Sequence, residues 1–335
     1  MKKAVSVISA GLLGAFLTTA AIAQDLKEIT VLLPNPSALN VFPMYVAIGE
    51  GYFEAEGLKV NVEAVNGSAM VLQAMAAGQA QIGNPGAGPF LNARARGEDV
   101  VFIYNNFAKS GFGLVVRDES TVQSPADLKG MTVGVGTADG AEVGFARAIL
   151  TDAGLTEGTD YEFLAVGDGG PAAAAFERGD IDAHTSAVVD VAIMGMAGLK
   201  LREITPPQFL GYFGNGFAAN RDYIEANPDV IEGFGRAYVK GIKFSLDDAN
   251  TPTVLAHAAA GNPQEGEDTA FASAFYETVR ERITPTDLSK GWGYNFPEHW
   301  EMWQASLVEG GDLEAPLDDL AASYTNDFVP AWNED

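Results

Sequence analysis

The side chains of this sequence best placed to do chemistry are carboxylates that follow apolar strands. Gly136-Thr137-Ala138-Asp139-Gly140-Ala141-Glu142 joins a strand to a helix and puts Asp139 and Glu142 in one turn. Their ordinary role there is to cap the helix or offset its dipole. Facing a pocket, either would repel an anion and favour a cationic, zwitterionic or neutral hydrogen-bonding ligand. Asp168 follows a second strand, and Asp190 a third, after His184, Thr185 and Ser186. Ligands collect at the carboxyl ends of parallel strands. The expected contacts are therefore Asn35, Asn40, Phe42, Ser68, Asn84, Pro85, Asn106, Phe107, Thr137, Asp139, Glu142, Asp168, Thr185, Ser186 and Asp190. His184 reads as a structural residue, and most aromatics around these loops read as core, with one or two free to stack on a planar ring.

Catalytic constellations are scarce. The chain has no Cys, no Gly-x-Ser-x-Gly and no Walker-type loop. A multi-His metal site would require His184, His257 and His299 to converge from distant segments. Asp180 and Asp182 could pair as carboxylates, but on a strand they share a face and read as structural. The expectation is a binder, with no metal and no cofactor.

The elements that must position these loops repeat. Ile29-Thr30-Val31-Leu32 resembles Met131-Thr132-Val133-Gly134. Gly78-Gln79-Ala80-Gln81-Ile82 resembles Gly179-Asp180-Ile181-Asp182-Ala183, and Gly97-Glu98-Asp99-Val100-Val101 resembles Gly198-Leu199-Lys200-Leu201-Arg202. The offsets (29 to 131, 78 to 179, 97 to 198) are 102, 101 and 101 residues. Three matches in register imply two α/β lobes of similar construction, each a mostly parallel sheet covered by helices. Gly113–Arg117 and Gly216–Arg221 read as the two crossings between lobes, on which one lobe can hinge. The expected division is 24–115 and 220–335 for the first lobe and 116–219 for the second. Helices from Asn227 onward would complete the first lobe, with Trp292, Trp300 and Trp303 in core packing.

Residues 1–23 have the layout of a cleaved secretory signal: Lys2 and Lys3, an apolar run from Ala4 to Ala21, then Ala21-Ile22-Ala23 before Gln24. The other reading is a membrane anchor, since about 20 apolar residues span a bilayer. Gly11, Gly14, Thr18 and Thr19 dilute the run against it. The mature chain is expected to be soluble in a bacterial periplasm and monomeric. Asp and Glu number 45 against 20 Lys and Arg, for a formal charge of −25. Without a basic stripe such a surface does not bind nucleic acid. The acidity keeps the chain soluble by self-repulsion, and adaptation to salty surroundings is the other account of it.

The ordered motifs carry a family resemblance. Phe42-Pro43-Met44-Tyr45-Val46-Ala47-Ile48-Gly49-Glu50-Gly51-Tyr52-Phe53-Glu54-Ala55-Glu56-Gly57-Leu58 is similar to the opening of periplasmic binding proteins for sulfonates, taurine, nitrate and thiamine pyrimidine precursors. Ser124-Pro125-Ala126-Asp127-Leu128-Lys129-Gly130-Met131-Thr132-Val133 resembles their second-lobe opening. Phe176-Glu177-Arg178-Gly179-Asp180-Ile181 resembles their helix-to-strand step, and 299–329 their closing helices. The resemblance implies a type II periplasmic binding fold, in which two α/β lobes joined by two crossing strands hold a ligand in the cleft. It also implies an ABC permease as partner. In the sulfonate and nitrate relatives the helix start after Gly136 holds the anion through N–H groups and the dipole. Asp139 and Glu142 depart from that pattern.

The expected function is capture of a small organic molecule by lobe closure. A pyrimidine-like or amine-bearing heterocycle is the first choice, and an alkyl sulfonate or other organic acid the second. Delivery to a sensing receptor instead of a permease is a further alternative.

Overall fold

Ten strands set the architecture of the computed structural model, which describes residues 26–210, 212–285 and 287–334. The expected signal at 1–23 lies outside them. In chain order the strands are β1 (Lys27–Leu33), β2 (Leu58–Ala64), β3 (Ile82–Gly83), β4 (Val100–Tyr104), β5 (Phe112–Arg117), β6 (Met131–Val135), β7 (Tyr161–Ala165), β8 (Ala183–Ala187), β9 (Leu201–Glu203) and β10 (Phe217–Asn220). They form two five-stranded sheets ordered β2-β1-β3-β10-β4 and β7-β6-β8-β5-β9. In each sheet the first three strands are parallel, and the fourth runs antiparallel to both neighbours. The repeat seen in the sequence is therefore topological: β1 and β6, β3 and β8, and β4 and β9 hold equivalent places.

The two segments read as crossings are in fact the antiparallel strands. β5 pairs with β8 and β9 of the second sheet from Phe112 onward, and β10 pairs with β3 and β4 of the first from Phe217 onward. Their apolar residues are there to be buried in a sheet, which moves the passages between sheets to 105–111 and 204–216. These passages bond to each other. Phe107 N–H donates to Asn215 O at 2.9 Å, and Gly214 N–H donates to Phe107 O at 2.8 Å. A Cβ on Gly214 would lie 2.8 Å from Phe107 Cβ, so glycine permits this close pairing.

Two large apolar cores, and a smaller third around Phe176 and Met194 of the second lobe, hold the sheets. One packs helices Phe42–Gly49, Pro228–Ser245, Thr251–Gly261 and Thr269–Ile283 on one face of the first sheet. The other runs from helix Ala87–Ala95 through Pro297–Glu309 to Ala141–Asp152 of the second lobe. Its centre is aromatic. Trp300 is fully buried, stacks on Tyr324 at 5.3 Å and meets Phe213 at 4.7 Å and Phe102 at 5.0 Å. Trp303 Nε1 donates to Phe213 O at 3.0 Å, so the return passage is pinned to this core. Arg147 of the second lobe adds an ion pair with Asp312.

Trp300→Ala should cost about 3–5 kcal/mol, the range for removing a buried large aromatic. Urea unfolding of the two proteins checks it.

Candidate functional site

The carboxyl ends of the parallel strands in both sheets open onto one cavity of about 420 Å³ between the lobes. From the first lobe, β1 runs into Pro34-Asn35-Pro36-Ser37. Asn35 Oδ1 accepts from Ser37 N–H at 3.1 Å, and Ser37 Oγ accepts from Asn40 N–H at 3.2 Å, which folds this loop over the cavity. After β2, Gly67 takes a φ of +92° and starts helix Ser68–Ala76. Ser68 Oγ accepts Gly86 N–H at 3.0 Å. After β3 comes Asn84, only 3% exposed, whose Nδ2 has no partner. Phe107 and Asn215 of the paired passages form the back wall.

The second lobe supplies charge. The turn after β6 contributes Thr137 and Glu142. Glu142 Oε1 accepts Thr137 N–H at 2.9 Å, because a side chain in the first helical turn leans back toward the N-terminus. Asp168, after β7, is exposed to the open cavity and accepts no protein hydrogen bond among the described residues. A Cβ at Gly136 would come within 2.1 Å of Asp168 Oδ1, and one at Gly140 within 2.1 Å of Glu142 Oε2. These two glycines clear the space in which the carboxylates rest. Asp190 begins helix Val188–Met196, is 5% exposed, and accepts Ala187 N–H at 3.1 Å.

No Lys, Arg or His side chain lines the cavity among the described residues. The carboxyl groups therefore titrate high. Burial is the main cause of the upward shift at Asp190, reinforced by the charges of Asp168 and Glu142 and opposed by amide bonds from Ala187 and Gly169; the group reaches about 8. Burial also raises Glu142, against hydrogen bonds from Thr137, and raises Asp168. His184 behaves as a structural residue: Nδ1 meets Ser186 Oγ at 2.8 Å, Nε2 meets Gly167 O at 3.3 Å, and burial drops it to about 4.

Asn35, Asn40, Ser68, Asn84, Phe107, Thr137, Glu142, Asp168, Thr185 and Asp190 all line the cavity. Five other residues expected there lie elsewhere. Phe42 is buried in the first-lobe core, edge-on to Tyr276 at 4.8 Å. Asn106 turns to the same core and accepts from Tyr238 OH at 2.6 Å. Pro85 serves through its carbonyl, which accepts Gly216 N–H at 3.2 Å. Asp139 is exposed outside the cavity. Ser186 points away from it because strand side chains alternate, so Thr185 faces inward while His184 and Ser186 share the reverse face. Sequence reasoning missed Asn262 and Glu265, which reach the cavity from the turn after helix Thr251–Gly261. Glu265 Oε2 accepts both Ala38 and Leu39 N–H at 2.9 Å, more than 220 residues away in the chain. Nothing local in Asn262-Pro263-Gln264-Glu265 signals this contact.

A family model described as NMT1/THI5 like matches residues 38–251. The riboflavin-binding protein RibY of Chloroflexus aurantiacus is 24% identical over 309 residues, spanning 91% of this chain and 87% of that protein. The formylaminopyrimidine-binding protein of Halalkalibacterium halodurans is 26% identical over 317 residues, spanning 92% and 93%. Among solved structures, the periplasmic aliphatic sulphonate binding protein SsuA from Escherichia coli superposes with a TM-score of 0.68 at 18% identity, covering 88% of this chain and 91% of that one. This likeness shows the type II periplasmic binding protein fold.

The contribution of Asp190 to stability should fall as pH rises from about 4 to 8. A carboxyl that keeps its proton in the folded state, but not in the unfolded one, makes folding take up a proton. The Asp190 contribution is full below the ordinary carboxyl range near 4 and is lost as pH passes about 8. Asp190→Asn should flatten that slope in urea midpoints measured at pH 5 and pH 9.

Proposed function

Because the chain belongs to the NMT1/THI5-like family of substrate-binding proteins, we propose that its cleft captures a nitrogen heterocycle bearing amine or ring N–H donors and delivers it to an ABC permease. The observation that carries this reading is the second-lobe wall: Glu142, Asp168 and Asp190 face the cavity with no basic side chain opposite. A sulfonate or nitrate entering there would meet like charge in a poorly solvated space. A ligand N–H would instead meet acceptors, Asp168 first among them. Asn84 Nδ2 supplies a donor for a ring nitrogen or carbonyl, and Phe107 and Phe112 offer apolar surface to a flat ring. The names of the two relatives, riboflavin-binding and formylaminopyrimidine-binding, both denote nitrogen heterocycles.

Capture proceeds by closure. The ligand docks on one lobe, the second swings in about the paired passages 105–111 and 204–216, and contacts from both lobes stabilise the closed form. The permease then recognises that shape. The expected signal at 1–23 places these events in the periplasm after cleavage, with the protein acting as a monomer.

A thermal-shift panel on the chain from Gln24 tests the reading. A binder present at a hundredfold excess over its Kd adds about 2.7 kcal/mol of stability. Aminopyrimidines, flavins or heterocyclic amines should raise the melting temperature. Asp168→Asn should weaken the best of them about ten- to a hundredfold, the worth of a hydrogen bond to a charged group. A shift with taurine, alkyl sulfonates or nitrate alone would overturn the assignment.

A further inference from the structure

Three acidic side chains crowd one wall of the cleft, with no basic side chain lining it among the described residues, and two buried polar atoms of cleft residues are unsatisfied. Thr185 Oγ1, in a residue 1% exposed, has no hydrogen-bond partner, and neither has Asn84 Nδ2 across the cavity. Buried polar groups are normally paired, so these orphaned atoms, aimed at the same space as the carboxylates, mark a ligand position.

The surroundings leave the charge uncompensated from every side. Helix Val188–Met196 carries no titratable residue besides Asp190. The β8 strand beneath it contributes His184, neutral and turned to Gly167 and Ser186. Asp168 and Glu142 come from the loops after β7 and β6, and Glu265 reaches the cavity from the first lobe. Helix Gly170–Arg178 holds Glu177 and Arg178 at its far end, the latter paired with Asp180. Helix Thr269–Ile283, packed on the Asp190 helix, carries four charges. Arg280 pairs with Asp248 and Glu277, and Glu281 with Lys109; Arg282 lines a separate cavity of about 200 Å³ with Glu203.

Resting on the heterocycle reading, we propose that the ligand binds as a cation, its charged nitrogen at Asp168 displacing a proton held in the empty cleft by the acidic wall of Glu142, Asp168 and Asp190. The released proton goes to solvent, and the ligand's charge takes over its electrostatic role. Asn84 and Thr185 then engage the neutral polar atoms of the same ligand. The amides of Thr137, Ala187 and Gly169 hold two of the carboxyls in place, leaving Asp168 as the one that moves from solvent to ligand. Such a site selects cations over neutral isosteres, and its affinity climbs about tenfold per pH unit until the cluster has lost its proton.

Two readings on the full mature protein test this. The carboxyl carbons of Asp and Glu, labelled with 13C and assigned through Asp168→Asn, Asp190→Asn and Glu142→Gln, are titrated by NMR in the empty protein. At least one of the three must titrate above pH 6, roughly two units beyond an ordinary carboxyl; a cluster fully ionised by pH 6 overturns the proposal. Calorimetry with 5-(aminomethyl)pyrimidine at pH 7, in buffers of different ionisation enthalpy, should report release of about one proton per ligand bound, a release lost in Asp190→Asn. Binding without proton release overturns the exchange and leaves the heterocycle reading standing. Failure of this probe together with every other nitrogen base in the panel overturns both.

Discussion

Three carboxyl groups held on one wall of the cleft, with no basic side chain lining it among the described residues, are the constraint around which this structure is arranged. Burying an ionised carboxylate is costly unless amides, a proton or an opposite charge meet it. The backbone provides the first of these: Thr137 N–H bonds Glu142, and Ala187 N–H bonds Asp190. Gly136 and Gly140 provide room, since a side chain at either position would occupy the space of Asp168 or Glu142. In the proposed exchange, the remaining cost is met by a proton in the empty cleft and by the solute in the filled one. On the proposed reading such a site disfavours anions, whereas the solved structure whose fold it shares is named for binding a sulphonate.

The same constraint makes demands on the frame. Carboxyls on the second lobe face Asn35, Asn40, Asn84 and Glu265 of the first across the cavity, and the chain crosses between the sheets through the passages 105–111 and 204–216. Their mutual hydrogen bonds, Phe107 with Asn215 and Gly214, hold them side by side, while Phe213 is anchored in the aromatic core around Trp300. On the cleft side, helix Thr269–Ile283 meets helix Val188–Met196, so contacts between lobes flank the cavity on either side. The passages are pinned to the aromatic core, and Phe107 and Asn215 within them also line the cavity.

Much of this was legible in the amino-acid sequence, for identifiable reasons. A strand that must be apolar, followed by a helix that must end at glycine, leaves marks such as Gly78-Gln79 and Gly179-Asp180 that recur when a lobe is repeated. Strand ends then nominate loops, which is how Asn84, Asp168 and Asp190 were found. Facing was harder. Alternation along β8 decides between Thr185 and Ser186, and the strand's frame shows only once its neighbours are known. Asn106 and Phe42 follow strands as expected yet turn to the core, where Tyr238 and Tyr276 receive them. Gly113–Arg117 and Gly216–Arg221 looked like crossings because an apolar run after a lobe's last strand carries no mark of the sheet it joins. Glu265 was invisible because its partners, Ala38 and Leu39, belong to the other end of the chain and to no repeat.

The central claim is that charge on the second-lobe wall decides what the cleft accepts. Calorimetric titration of the mature chain with a matched pair, an aromatic ring bearing an aminomethyl group and the same ring bearing a sulfonate, tests it most directly. The account predicts saturable heat from the amine and none from the sulfonate; saturable binding of the sulfonate with none of the amine would contradict it.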